Sequence, residues 1–444
     1  MGRNPLNTGQ PASIDRAILA IALPAMLTNI ATALIGLADI WVIGQLGAAE
    51  PQAGVEIGSK LFFFIVTIFN FISFGTTTLT AQAGGRGDKG EQAAVLLRSV
   101  AVATGLGILA FGIARAALPL GISALGGTGA VAANAAAYAN VRSAAVAPAL
   151  VNMALIGFLV GRKRLRTVLA IEVGYNLVHV AIAVALVLGF GLGVRGAALA
   201  SLAAESLKLL VSAWLVGREG PAIAASLRAA STWSGAALSP LFRLNRDLFV
   251  RTLMLLLAIM VFTRMGAAQG PTTLAANAIL FQLFLLSGMV MNGFEAAAQV
   301  LGAEAIGHAD RAGFTATGRR AMAWMHGSAL LLGLVLLGGG DAIANRFTRA
   351  VDVRADLAAF HLWPAILPLL AAACFVYDGL FIGAGWTRAM LVSMAGAFAL
   401  YLAALALLLP FGNHGLWLAF CLLFVFRGGL QAVLMPGLLR RQFG

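Results

Sequence analysis

The apolar residues of this chain do not alternate with polar ones at a period of two. They come in long unbroken runs separated by short polar corners. About twelve runs reach the roughly 20 residues that a helix needs to cross the hydrocarbon core of a bilayer. They cover approximately residues 15–43, 54–82, 92–114, 130–160, 166–189, 194–216, 246–265, 273–304, 316–338, 356–383, 389–409 and 415–437. Such runs are too long for barrel strands, and in lipid only helices or closed barrels satisfy every backbone group. The pattern predicts an all-α integral membrane protein of about twelve transmembrane helices.

One corner is longer than the rest, a polar stretch from about Gly217 to Asn245. It divides the chain into an N-terminal lobe of helices 1–6 (residues 1–216), a cytoplasmic linker (217–245) and a C-terminal lobe of helices 7–12 (246–444). The halves echo one another. Span two runs FNFISFGTTTLTAQAGGRGD from Phe69 to Asp88, and span eight runs MNGFEAAAQVLGAEAIGHAD from Met291 to Asp310. Aligning Asp88 with Asp310 superposes Asn70 on Asn292 and Gln82 on Glu304. Repeats of six spans mark secondary transporters that rock one half against the other, so the lobes are expected to be pseudo-symmetric.

Composition narrows the classes. The chain is 60% hydrophobic and only 11% charged, with a mean hydropathy of +0.92. That excludes an ordinary soluble domain and a disordered chain alike. In a soluble protein the net charge of +13 would point to nucleic acid; here the positive-inside bias accounts for it. With both termini cytoplasmic, 19 of the 30 Lys and Arg fall on inside segments. The outside segments then hold six: Arg115, Arg195, Arg264, Arg346, Arg349 and Arg354. The expectation is a multi-pass protein of the cell inner (plasma) membrane, a monomer whose large partner is the lipid bilayer, with no nucleic acid. The first run exceeds a signal-peptide core and is expected to be retained, and Leu6 stands where myristoylation needs Ser or Thr. Cys374 and Cys421 sit inside apolar runs as small core residues.

Energy coupling is narrowed by what is missing. None of Lys60, Lys89, Lys163 and Lys208 is followed by Ser or Thr, so there is no phosphate-cradling Walker loop. The Gly-x-Gly-x-x-Gly match at Gly191, Gly193 and Gly196 joins two membrane helices rather than a strand to a helix, against a dinucleotide site. No HxxxH or CxxC motif is present. The reading is a non-enzyme without cofactor or metal, drawing on a proton or sodium gradient.

Ionisable residues inside spans are costly in lipid and are functional candidates. Asp39 lies in span one, in GLADIWVIG, and Pro24 interrupts the same helix and predicts a kink there. A carboxylate on a bendable helix can be neutralised by a proton or balanced by sodium; the alternative is an Asp at a polar interface without a transport role. In span five, Glu172, Asn176 and His179 share one helical stripe. Three polar side chains there point to a water-filled cavity, although Glu172 at the cytoplasmic end can instead be solvated. Glu295 and Asp378 fall within spans eight and ten. Arg142, Arg251 and Arg427 are either internal counter-charges or interfacial side chains that snorkel.

The stretches GLADIWVIGQLG, FGTTTLTAQAGGRGD, LNRDLFVRTL, TLAANAIL, YDGLFIGAGWTR and GNHGLWLA together resemble the multidrug and toxic compound extrusion (MATE) transporters, nearest the DinF (DNA-damage-inducible protein F) branch. The resemblance runs from about Ile14 to Arg441. It implies two six-helix lobes that export amphipathic, often cationic organic compounds against inward protons or sodium. It also implies that Asp39 is the proton-responsive aspartate of helix one and Pro24 its kink. Departures are as informative. Helix five of the family commonly carries Asn-x-x-Asn-x-x-x-Asp; here those positions are Asn176, His179 and Ala183. In span eight, Asn292 and Gln299 stand where the DinF-like pattern has Asp and Glu, while Glu295 and Glu304 occupy positions usually uncharged.

The resulting expectation is a cation-coupled antiporter working by alternating access, with the proton favoured over sodium. Asp39 is the coupling carboxylate, with His179 and Asn176 as hydrogen-bonding partners. Glu172, Glu295, Asp378 and Asn292 are candidates for a substrate cavity or a second cation site. Histidine, unlike asparagine, can take up a proton near neutral pH, so a His179–Asp39 pair could stand in for the acid missing at Ala183. A histidine that merely bonds a backbone carbonyl remains the alternative. Two other classes stay open: a flippase for a lipid-linked precursor, which would line its cavity with Arg, and a non-transporting scaffold or receptor.

Overall fold

The computed structural model describes residues 11–218, 220–347 and 351–444. Among these there are helices and turns but no strand. Twelve long helices account for the apolar runs. They are α1 (Pro11–Gly44), α2 (Ala49–Gly85), α3 (Lys89–Ala124), α4 (Gly129–Gly161), α5 (Leu165–Gly189) and α6 (Gly193–Gly217) in the first half. In the second half they are α7 (Gly235–Ala267), α8 (Pro271–Gly307), α9 (Arg311–Phe347), α10 (Val351–Ala384), α11 (Thr387–Leu408) and α12 (Gly412–Phe443). The last two form one apolar stretch of 57 residues. It folds back on itself, because Gly396 lies against Leu430 and Gly415 against Leu408, the spacing of an antiparallel hairpin. Large apolar side chains face outward, Phe190, Leu407 and Val433 among them, each more than 70% exposed. Only a lipid environment tolerates such a surface around a helical bundle.

Several helices deviate from regularity. Helix α2 is broken at Phe69–Asn70 into Ala49–Ile68 and Phe71–Gly85. Helix α4 tightens to a 3₁₀ turn at Ser143–Ala145. Gly191 and Gly193 lie in the corner between α5 and α6, a conformational rather than a ligand-binding use of that glycine motif.

The internal repeat is built into the backbone. At the end of α2 the amides of Arg86 and Asp88 donate to Gln82 O and Ala83 O, with Gly87 left-handed. At the end of α8 the amides of His308 and Asp310 donate to Glu304 O and Ala305 O, with Ala309 left-handed. Asp88 then caps α3 by accepting from Glu91 N at 2.8 Å, and Asp310 caps α9 by accepting from Gly313 N at 2.8 Å. The repeat extends to packing. Gly157 and Gly161 of α4 sit against the carbonyls of Ser73 and Thr77 on α2. Gly379 and Gly383 of α10 sit against the carbonyls of Glu295 and Gln299 on α8. A Cβ at any of the four would lie 2.3–2.7 Å from a backbone oxygen, so only glycine permits this approach.

The chain forms two compact units, Leu27–Asn245 and Met1–Met26 with Arg246–Gly444. The boundary differs from the expected one in that the start of helix one goes with the second half of the chain. It falls within α1, two residues past Pro24. Asp15 explains the attachment: Arg320 of α9 forks onto its carboxylate, and Trp324 Nε1 donates to it at 3.0 Å. The expected linker is also more ordered than its polarity suggests. Gly220–Arg228 is helical, Ala230–Trp233 is a 3₁₀ turn, and α7 begins at Gly235. Arg98 Nε donates to Thr232 O at 2.8 Å and Ser226 Oγ to Gly90 O at 3.1 Å, fastening this segment to α3. Arg3 and Arg349 lie outside the described residues, and helix continues through Phe347 and again from Val351.

Candidate functional site

In the unit Leu27–Asn245, Asp39 is buried and its Oδ1 lies 2.7 Å from His179 Nε2. Tyr138 OH donates to Oδ2 at 3.5 Å and itself accepts from Ser59 Oγ at 3.1 Å. The stripe on α5 thus reaches helix one, by a side chain that sequence periodicity alone could only place on a face. His179 has no exposed surface, and its Nδ1 makes no hydrogen bond to the described residues. Asp39, by contrast, lines a polar cavity of about 500 Å³. The carboxylate therefore stands between the cavity and the imidazole.

Asn176 takes a different place from the one expected. Its Nδ2 donates to Ala31 O at 2.7 Å, two helical turns from Asp39, so it holds the α1 backbone rather than the carboxylate. Asn176 precedes His179 by most of a turn on α5, and its partner on α1 likewise precedes Asp39. Glu172 is not solvated. It pairs with Lys208 of α6 at 2.6 Å, and the ammonium also lies over the Tyr175 ring. Sequence reading missed Lys208 and Glu205. Glu205 is buried, and Asn152 Nδ2 donates to its Oε1 at 2.7 Å. The signal was present, since Glu205 and Lys208 are three apart on one helix and share a face.

The second unit holds a different acid centre. Asp378 of α10 is buried, and both Arg427 of α12 and Arg251 of α7 bind its Oδ2, Arg251 at 2.6 Å. Gln431 Nε2 donates to Oδ1 at 2.7 Å. Glu295 is buried on α8 within electrostatic range of Asp378 and Arg251. Arg251 and Arg427 are thus counter-charges, and neither snorkels. Asn292 is exposed on α8 and does not join them. Asp247, unmarked by the sequence reading, is buried and accepts from Thr387 Oγ1 at 3.2 Å. Cys374 and Cys421 are free and buried, as their apolar runs predict.

The duplicated packing has a counterpart in comparison with known proteins. The MatE family profile matches residues 24–185 and again 248–408, once in each half. The chain is 32% identical to DNA damage-inducible protein F of Escherichia coli over 417 residues, 94% of this chain and 91% of that protein. It is 27% identical to a probable multidrug resistance protein NorM of Rhizobium meliloti over 434 residues, 92% and 90% of the two chains. Its fold superposes on the crystal structure of a MATE protein in a bent conformation with a TM-score of 0.90, at 18% identity, covering 100% of this chain and 99% of that one. A straight conformation gives 0.86, with 97% of each chain covered. Two profile matches, a full-length relative and the shared fold agree: the chain belongs to the MatE family of membrane transporters.

Proposed function

We propose that this protein exports amphipathic organic compounds by alternating access, in exchange for protons taken up at the Asp39–His179 pair. The observation that carries this reading is the 2.7 Å contact between Asp39 Oδ1 and His179 Nε2 at the wall of the N-terminal cavity. A carboxylate and an imidazole in contact can hold one proton more or one fewer. Uptake changes the charge of the pair by one unit without any group leaving its place. The proton enters from the cavity through Asp39, and the unbonded His179 Nδ1 offers a second position for it.

Among the described residues Tyr138 and Arg142 from α4, Tyr175 on α5 and Ser59 on α2 share the cavity with Asp39, as do Glu172, Glu205 and Lys208. A change of one charge at the pair alters the field in the cavity, and with it the hold on a charged substrate there. Because α5 is bonded to α1 at Asp39 and at Ala31, neutralisation alters one of two ties on the helix that carries Pro24. A sodium site would call for several convergent oxygen ligands, whereas Asp39 meets a hydroxyl and an imidazole. The excess of inside cations supports inner-membrane insertion with both termini cytoplasmic.

The test is efflux from proteoliposomes under an imposed proton gradient and, separately, under a sodium gradient. Proton-driven efflux that stops in Asp39→Asn is expected; efflux driven by sodium alone would overturn the proton assignment. Reporter fusions after Arg86, Arg164 and Arg228 should face the cytoplasm, and one between α9 and α10 the opposite side.

A further inference from the structure

Arg142 is a long side chain in the N-terminal cavity whose partners among the described residues leave two of its donors open. It lies 13 residues into α4, about 20 Å of helix from the start, too far for a guanidinium to snorkel out. It is 8% exposed, and its Nε and Nη1 make no hydrogen bond. Among the described residues no carboxylate pairs with it; Asp39 and Glu205 act on it only electrostatically. Among the described residues it meets the Phe62 ring, 4.0 Å from the guanidinium carbon, and the Tyr175 hydroxyl, which leave Nε and Nη1 open. A buried fork of donors with open positions is costly in a membrane protein unless something fills them.

What could fill them follows from where Arg142 stands. It lines the polar cavity on one side, and on the other the inner end of an apolar groove of about 380 Å³ between α2, α3 and α4. Leu61, Ile65, Leu118 and Gly121 wall that groove, and Phe62 belongs to both spaces. We propose that the N-terminal unit binds a diffusible anionic amphiphile, its carboxylate- or phosphate-type head held by Arg142 and its apolar body lying in the groove. The fork of a guanidinium matches such a head in two parallel hydrogen bonds. The groove has the size of a drug-like ligand site and seats one chain or ring system, not the two chains of a phospholipid. This inference names a ligand class for the cavity and rests on the transport reading above. It concerns binding without a gradient, so loss of proton coupling leaves its test intact.

The experiment uses the purified full chain in a neutral maltoside detergent. The probe is 11-(dansylamino)undecanoic acid, followed by its fluorescence against empty micelles, with the matching primary alcohol as control. Saturable binding of the acid is expected, with the alcohol weaker by about ten-fold or more. Arg142→Met should lose the same factor for the acid, and Arg142→Lys an intermediate one, since an ammonium keeps the charge but not the fork. Should Arg142→Met elute as an aggregate, Ala117→Trp fills the groove from its lipid side with Arg142 in place and must weaken the probe likewise. Equal affinity for acid and alcohol would overturn the proposal, as would full affinity in the folded variants. Displacement of the probe by short-chain phosphatidylglycerol would assign the site to a membrane lipid and overturn the proposed occupant.

Discussion

Asp39 and Asp378 are both buried carboxylates on membrane-crossing helices, one in each compact unit, yet their surroundings are opposite in kind. Asp378 receives two guanidiniums and a glutamine amide, groups that neither give up nor take on a proton near neutral pH. Asp39 receives an imidazole and a phenol, and opens onto a cavity. The first is a structural knot that ties α7, α10 and α12. The second, on the function proposed above, is a place where charge can change. Burial is common to both carboxylates; what separates them is the chemistry of their partners.

The contrast breaks most readily at Asp378. Asp378→Asn leaves two buried guanidiniums with no carboxylate bound to them, which is expected to cost about 3–5 kcal/mol of stability. A thermal melt of the detergent-solubilised protein should show a clear drop; an unchanged melting temperature would mean that Glu295 takes over as counter-ion. Asp39→Asn should do the reverse, keeping the melting temperature within a few degrees while proton-driven efflux falls to background. Gradient-driven efflux at the parental rate would remove Asp39 from coupling.

Two smaller changes sharpen the comparison within the Asp39 site. His179→Asn keeps a hydrogen-bonding side chain but cannot take up a proton, so efflux should weaken and its pH profile between about pH 5 and 8 should shift. A profile superposing on the parent would leave His179 a structural residue. Tyr138→Phe removes a hydrogen bond that is already long at 3.5 Å. Its expected effect is the smallest, a loss of two- to three-fold in rate, and a loss as large as that of Asp39→Asn would promote the phenol to an obligatory partner.

The apolar runs alone determined the all-helical membrane fold, the twelve crossings, the place of Pro24 and the duplicated corner at Asp88 and Asp310. These are local properties: hydrophobic length, a missing backbone donor and a helix cap are each written in a few consecutive residues. Helical spacing was also enough to set Glu172, Asn176 and His179 on one face. Partner choice was not local. That His179 meets Asp39 while Asn176 meets Ala31 O depends on how α5 slides along α1. That Glu172 pairs with Lys208 depends on the neighbouring helix. The glycines of α4 and α10 look like ordinary small residues until the carbonyls of α2 and α8 are seen against them. Only the tertiary structure decided which buried charges are spent on one another and which, like Arg142, are left with open hydrogen-bonding positions, because pairing is a matter of ångströms between helices distant in sequence.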